Sequence, residues 1–246
     1  MEGNSFTFNV ISVFTGVNNG VWIDPSDITT LFQDKAATIP VTASGQLVGC
    51  AKDKSGFNNH MLFEPGQEMK YTVVGNRKYL LGDDSNSNPW MVGHIGAPFS
   101  PAFNATWSRV SGFTPTGVVV GTIYGDAGTG SVNLGLGDPG DATMAMRNGT
   151  SGGPAVSYSG TGTDLVMTEL WVAAGPCQLA RDNGAYVSTP SMTGVAPKGV
   201  WVGMNNGGAN HSTMKFDGMV MVNKAMLPSE VAGLRTYYGA KQGRLL

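Results

Sequence analysis

Ser151 lies in a glycine-rich segment, Gly149-Thr150-Ser151-Gly152-Gly153-Pro154, whose backbone N–H groups could stabilise an oxyanion beside a serine nucleophile. His60 comes earlier in the chain, and Asp83 and Asp84 lie between the two. A serine, an imidazole and a carboxylate that folding brings together perform nucleophilic acyl transfer, with the imidazole as the base. These residue types therefore suggest acyl transfer as a first hypothesis.

The order His, Asp, Ser and the glycine-rich segment resemble the chymotrypsin-like serine proteases, but the surrounding sequence departs from that family. His60 stands in Gly56-Phe57-Asn58-Asn59-His60-Met61, without the small-residue strand end and adjacent cysteine of that family. Nothing after Ser151 resembles its specificity strand. A chain with 36 glycines contains glycine-rich turns for structural reasons alone. We therefore interpret residues 149–154 as a turn and predict no catalytic residue.

Candidate metal ligands lack the spacing that known metal sites require. The segment Asp83-Asp84-Ser85-Asn86-Ser87-Asn88 offers oxygen ligands to calcium, but it lacks the glycine and the distal glutamate of an EF-hand loop. His60, His94 and His211 show no i, i+4 pairing and no cysteine at zinc spacing. No carboxylate pair is marked for glycoside hydrolysis, although folding can bring distant carboxylates together. We predict solvated loops, with no metal and no cofactor.

Tryptophans are the candidates for binding. Trp22 and Trp201 lie in apolar runs, so we predict that they belong to the core. Trp90 and Trp107 lie in polar surroundings rich in Pro and Asn, where an exposed ring could stack on a sugar or on another subunit. The alternative for both is an amphipathic aromatic at the rim of the fold. We take Trp90 and Trp107 as the predicted carbohydrate-binding residues.

Short strands are the elements that must position these residues. Dipeptides that favour tight turns recur along the chain at Asn19-Gly20, Ser44-Gly45, Asn148-Gly149, Asn183-Gly184 and Asn206-Gly207. Short apolar or alternating runs lie between them, which favours an all-β sandwich or barrel. An aromatic strand near Trp22 and an alternating strand after Phe216 stand near the two ends of the chain. We predict that these first and last strands lie together.

Helix is scarce. Ser26 is the predicted N-cap of a short helix near residues 27–32, and Ser229 that of a C-terminal helix near residues 230–241. The apolar residues of the second helix recur at spacings of three and four, which predicts one buried stripe of Val231, Leu234 and Tyr238.

Composition excludes several partners. The net charge is -2 and the pI is near 5.9, so nothing predicts nucleic acid binding, and no apolar run reaches the length of a membrane span. Hydrophobic residues make up 41% and charged residues 13% of the chain, which indicates a substantial core under a weakly charged surface. Cys50 and Cys177 are too few for a disulfide framework, and we predict two buried free thiols in a chain made in a reducing cytosol.

Two segments near the N-terminus resemble an opening found in many tailed-bacteriophage and prophage structural proteins. The first runs from Gly20-Val21-Trp22-Ile23-Asp24-Pro25-Ser26-Asp27 through residues 31–34 and continues at 39–43 and 48–49. The second is Asp53-Lys54-Ser55-Gly56-Phe57-Asn58-Asn59-His60. This resemblance implies a protein of the virion, assembled in the host cytoplasm.

The C-terminal part is similar to the last strand and helix of concanavalin A-like or laminin G-like domains. The matching residues are Phe216-Asp217-Gly218, Val220-Met221-Val222-Asn223-Lys224-Ala225 and Leu227-Pro228-Ser229-Glu230, and Arg181-Asp182-Asn183-Gly184 is similar to a hairpin of those domains. The resemblance implies an all-β, two-sheet antiparallel jelly-roll sandwich. We expect one such domain over residues 16–246. Residues 1–15 would form an N-terminal strand or arm, because Phe6 to Phe14 alternates apolar and polar residues; it would complete this chain's own sheet or a neighbouring subunit's.

These expectations lead to a non-enzymatic bacteriophage virion protein, either a capsid decoration or head-fibre subunit or part of an appendage. Its partners would be other virion proteins, and it would form a homo-oligomer, for which a trimer suits a three-fold or fibre position. The alternative is a carbohydrate-binding adhesin that recognises host surface glycans. A third reading is a glycan hydrolase.

Overall fold

The computed structural model describes residues 8–82, 93–95, 99–116, 122–126, 132–136, 143–148, 151–157, 162–173, 175–189, 196–202 and 213–246. These residues form two antiparallel sheets of nine strands each, packed face to face around one apolar core. The predicted all-β, two-sheet antiparallel sandwich is therefore confirmed. No helix in the described ranges has the length and apolar character that crossing a membrane would require.

The strands are numbered in chain order. Their bounds are β1 Gly20–Ile23, β2 Leu31–Phe32, β3 Leu47–Val48, β4 Cys50–Ala51, β5 Met61–Phe63, β6 Met69–Val74, β7 Arg77–Gly82, β8 Gly93–Ile95, β9 Trp107–Pro115, β10 Thr122–Asp126, β11 Val132–Leu136, β12 Thr143–Asn148, β13 Ser151–Ser157, β14 Leu165–Trp171, β15 Cys177–Arg181, β16 Val187–Thr189, β17 Val200–Val202 and β18 Met214–Val222. The first sheet has the order β16-β15-β14-β9-β18-β7-β6-β3, with β1 paired to β18, and the second has the order β13-β12-β11-β10-β17-β8-β5-β4-β2. An α-helix, α1, spans Pro228–Lys241.

The first and last strands lie together as predicted. Gly20 pairs with Val222 and Ile23 with Met219, so β1 runs antiparallel to β18 along its whole length. A bulge at Asp217 interrupts the pairing of β18 with β9, and Gly218 follows it with a φ of 126°. A Cβ on Gly218 would come within 2.4 Å of the Ile23 carbonyl oxygen, so only glycine lets β1 approach there.

Helix α1 covers the outer face of the first sheet. Its buried stripe contains Val231, Leu234 and Tyr238, as predicted, and packs on Val110 and Val220. The predicted cap is wrong, because Leu227 is the N-cap and Ser229 lies inside the helix. The Glu230 carboxylate accepts the Leu227 N–H at 2.7 Å, which satisfies a donor at the helix start without a serine hydroxyl.

The predicted N-terminal strand or arm is wrong for the part that the structure describes. Val10–Phe14 forms a 3₁₀ helix that Asn9 caps, and Val10, Val13 and Phe14 are buried beneath α1. Val10 and Val13 are three residues apart, which suits the three-residue period of a 3₁₀ helix. The segment therefore packs on its own domain rather than adding a strand, and residues 1–7 lie outside the described ranges.

The predicted short helix near 27–32 is smaller than expected. Ile28–Thr30 forms a 3₁₀ helix, and residues 31–32 belong to β2. Asp27 is the N-cap, since its carboxylate accepts the Thr29 N–H at 3.3 Å. Ser26 is not the cap, because its hydroxyl donates to the Asp24 carboxylate at 2.6 Å.

The turn signals had different outcomes. Asn148 of β12 pairs with Ser151 of β13, and residues 149–150 and 206–207 lie outside the described ranges. Residues 151–154, predicted as part of a turn, instead belong to β13. Gly184 donates its N–H to the Arg181 carbonyl oxygen at 2.8 Å in the turn after β15. Gly20 instead begins β1.

Both cysteines are free and buried, as predicted. Burial raises the pKa of Cys50 to about 11 and also raises the pKa of Cys177, so both thiols stay protonated at neutral pH.

Candidate functional site

Trp107, a predicted carbohydrate-binding residue, lies inside the sandwich. It is 1% exposed, and its ring stacks on Trp171 with the centroids 5.1 Å apart and the planes at 15°. The Arg109 guanidinium lies 5.4 Å from the Trp107 centroid. No ring face is left for a sugar, so this prediction is wrong. Trp90 lies outside the described residues, and its role stays a prediction.

The residues considered for acyl transfer are not assembled. Ser151 begins β13 at one end of the second sheet, and His60 immediately precedes β5, six strands away in the sheet order. At about 4.8 Å per strand the two are roughly 29 Å apart along the sheet. His60 Nδ1 instead accepts the Asp53 N–H at 3.1 Å, and burial lowers the pKa of His60. Residues 83–84 and 211 lie outside the described ranges, as does the side chain of residue 94.

The second N-terminal motif ties a loop to β1. Asp53 is its anchor, because one carboxylate oxygen accepts the Trp22 N–H at 2.8 Å and the other accepts the Ser55 hydroxyl at 2.6 Å and the Asn59 N–H at 3.0 Å. The Asn59 amide then donates to the Gly20 carbonyl oxygen at 2.7 Å. These bonds fix the backbone and leave the motif a structural role.

The first motif forms a polar cluster that joins the two ends of the chain. The Asp24 carboxylate accepts hydrogen bonds from Ser26, from Tyr237 at 2.7 Å and from Lys241. Burial alone raises the pKa of Asp24, but the Lys241 ammonium and these hydrogen bonds lower it to about 2. Burial and the Asp24 carboxylate raise the pKa of Tyr237. The carboxylate is thus fully used in holding α1 to the sandwich.

A different arrangement joins α1 to the edge of the first sheet. Arg235 of α1 is 9% exposed, and its Nε donates to the Thr168 hydroxyl at 2.9 Å. Among the residues that the structure describes, its Nη2 has no hydrogen-bond partner. Its guanidinium lies 5.5 Å from the ring centroid of Tyr186, just before the edge strand β16. Tyr186 is 38% exposed, so part of its ring faces solvent. We name Tyr186, Arg235 and Thr168 the Tyr186–Arg235 site.

One carboxylate, Asp182, and two arginines that pair with it lie beside this site in the described part of the chain. Asp182 is the carboxylate that acts on Arg235, but it already accepts the Val166 N–H at 3.1 Å and pairs with Arg244 at 2.9 Å and Arg181 at 3.5 Å. Its single charge is therefore shared among several guanidiniums. Burial lowers the pKa of Arg235, which agrees with incomplete compensation of its charge.

Sequence reasoning missed this site, although one signal was available. Arg235 lies four residues after Val231 and three before Tyr238, within the buried stripe of α1. A charged residue in such a stripe needs an explanation, because burying an uncompensated charge is costly. No sequence pattern pointed to Tyr186 as a binding residue, since the neighbouring residues 181–184 indicated only a hairpin of the fold.

Known proteins resemble this chain in fold. No family model matches it, and no curated protein matches its sequence. The binding domain of Botulinum Neurotoxin serotype G matches with a TM-score of 0.58 and 10% identity over 77% of this chain and 49% of that one. The binding domain of Paraclostridial Mosquitocidal Protein 1 matches with a TM-score of 0.55 and 14% identity over 78% and 52%. A GH54 α-L-arabinofuranosidase soaked with a cyclic sulfate inhibitor matches with a TM-score of 0.59 and 12% identity over 94% and 60%.

The chain thus spans about half the length of the two toxin binding domains and under two thirds of the arabinofuranosidase. At these identities the likeness establishes a β-sandwich shared with binding domains. It assigns no site residue.

Proposed function

We propose that this chain is a non-enzymatic binding module that recognises a saccharide of a host surface through the Tyr186–Arg235 site. The observation that carries the proposal is an exposed aromatic ring held against a guanidinium at the sandwich edge. An aromatic face packs on the apolar C–H groups of a sugar ring, and a few fixed polar groups orient it.

The fold comparisons support a binding role. Two of the similar structures are described as toxin binding domains, and another GH54 arabinofuranosidase structure, soaked with 4-nitrophenyl α-L-arabinofuranoside, matches with a TM-score of 0.56 and 12% identity. Those descriptions concern proteins that bind or act on other molecules. They favour the adhesin alternative from the sequence over a purely structural subunit.

We place this module on a bacteriophage virion, as a displayed homo-oligomer. The resemblance of the segments around Trp22 and Asp53 to phage structural proteins favours this setting. Imaging of purified particles with the labelled protein tests it, and a signal absent from every particle would contradict it.

Glycan-array binding tests the saccharide proposal. We expect the wild type to bind a subset of host-type glycans and Tyr186→Ala to weaken binding roughly two- to tenfold, because one aromatic contact is lost. Val74→Ala, at an exposed apolar position, is the control and should bind like the wild type. Trp90→Ala tests the binding residue predicted from the sequence against Tyr186 in the same assay. Absence of glycan binding by the wild type would contradict the proposed function, and loss of binding in Trp90→Ala alone would move the site.

A further inference from the structure

Arg235 carries a buried donor without an acceptor. Its Nη2 is buried and unpartnered, while the Nε of the same guanidinium is satisfied by Thr168. Such groups are rare in folded proteins, because a buried N–H without an acceptor loses the hydrogen bonds it made to water. The charge of the guanidinium increases this cost. The fold therefore holds a cation whose hydrogen bonding a ligand could complete.

The described neighbours do not complete it. The Thr168 hydroxyl accepts the Nε–H, and the Asp182 carboxylate accepts from Val166 and pairs with Arg244 and Arg181. Tyr186 covers the guanidinium with its ring, which is a stacking contact and leaves the N–H edge without an acceptor. The chemistry of this donor is specific, since a guanidinium N–H suits planar or tetrahedral oxyanions.

We propose that the saccharide bound by this module carries an anionic substituent, a carboxylate or a sulfate, which accepts a hydrogen bond from Arg235 Nη2 while the sugar ring packs on Tyr186. This inference rests on the proposed function and names its ligand class. Tyr186 is exposed enough for its side chain to change rotamer and admit the anion to the Nη2 edge.

Matched saccharide pairs test this inference. One member of each pair is neutral, and the other differs only by a uronic carboxylate or a sulfate ester. We expect the wild type to bind the acidic member about tenfold more tightly, as a charge-assisted hydrogen bond warrants. Arg235→Lys should reduce this preference to about threefold or less, because the ammonium keeps the charge but loses the planar edge. Lys35→Gln removes an exposed cation that pairs with Glu64, and it should retain the full preference.

A measurement on the wild type alone keeps the test independent of any folding defect. Sodium sulfate should displace the acidic saccharide at an ionic strength where sodium chloride does not, and it should leave the neutral saccharide bound. Displacement that is equal for the two salts would overturn the inference.

The remaining outcomes separate the two proposals. Equal binding of neutral and acidic members, with both weakened in Tyr186→Ala, would overturn the anionic ligand and leave saccharide binding intact. Binding of free sulfate by a protein that binds no saccharide would overturn the proposed function, because the anion would then come from another source. An acidic preference unchanged in Arg235→Lys would overturn the assignment of Arg235.

Discussion

The first sheet presents two tyrosine–arginine stacks that look alike and differ in their compensation. Arg77 lies 5.4 Å from the ring centroid of Tyr79, and Arg235 lies 5.5 Å from that of Tyr186. Arg77 donates Nε and Nη2 to the two Asp217 oxygens at 2.8 and 2.7 Å and Nη1 to Asp164 at 2.7 Å. Arg235 makes one side-chain hydrogen bond, to a hydroxyl.

This difference separates an arginine used for folding from one available to a ligand. Burial alone lowers the pKa of Arg77, but the hydrogen bonds and charges of Asp217 and Asp164 raise it. Burial lowers the pKa of Arg235, and the electrostatic effects of Tyr186 and then Asp182 offset this only in part. Tyr79 is buried, whereas Tyr186 is exposed. The less compensated arginine thus lies against the more exposed ring, which is the combination that a binding site needs.

Removing the compensated arginine should have the largest effect. Arg77→Met leaves the Asp217 carboxylate, which is 0% exposed, without its cationic partner, so we expect the free energy of unfolding to fall by about 3–5 kcal/mol. Denaturant unfolding at pH 7 measures it. Saccharide preference should be unchanged in the folded variant. A loss below about 1 kcal/mol would show that Arg77 is not the structural member of the comparison.

Asp24 is a buried carboxylate whose charge, like that of Arg77, is balanced by its partners. Its folded-state pKa of about 2 lies below the ordinary 3.8, so its contribution to stability is present above pH 3.8 and is lost as the pH falls towards 2. We expect Asp24→Asn to lower the free energy of unfolding by about 2 kcal/mol at pH 7. The variant should also be less sensitive to acid between pH 4 and 2. Chemical unfolding of both proteins across this range measures the effect, and parallel curves would contradict it.

Removing the uncompensated arginine should have the smallest effect on stability. Arg235→Met deletes one hydrogen bond and one unpartnered buried donor, so the free energy of unfolding should change by about 1 kcal/mol or less. The same unfolding experiment compares it with Arg77→Met. A loss as large as that of Arg77→Met would mean that Arg235 stabilises the fold, and the distinction between the two stacks would fail.

The fold was predictable where local patterns and pairing agree. The segments around Trp22 and Phe216 predict the pairing of β1 with β18, and the stripe from Val231 to Tyr238 predicts α1. The 3₁₀ helix at Val10–Phe14 was not predictable, because two patterns overlap in this segment. Its apolar and polar residues alternate, which predicts a strand, while Val10 and Val13 are also spaced as a 3₁₀ helix requires.

The site was less predictable than the fold. The polar residues near Trp107 belong to the loop before β9, while the strand itself is buried on both faces, so neighbouring composition indicated exposure wrongly. Tyr186 and Arg235 are distant in sequence, and their approach depends on packing α1 over the sheet. The missing acceptor at Arg235 is a property of three-dimensional contacts that no spacing rule encodes.

The sharpest comparison of the two arginines uses Arg77→Lys and Arg235→Lys, each assayed for the free energy of unfolding and for affinity to an acidic saccharide and its neutral counterpart. We expect opposite outcomes: Arg77→Lys loses stability and keeps the acidic preference, whereas Arg235→Lys keeps stability within about 1 kcal/mol and retains at most about a threefold preference for the acidic ligand. If both variants lose stability and neither changes its preference, the Tyr186–Arg235 site is a structural contact and not a binding site.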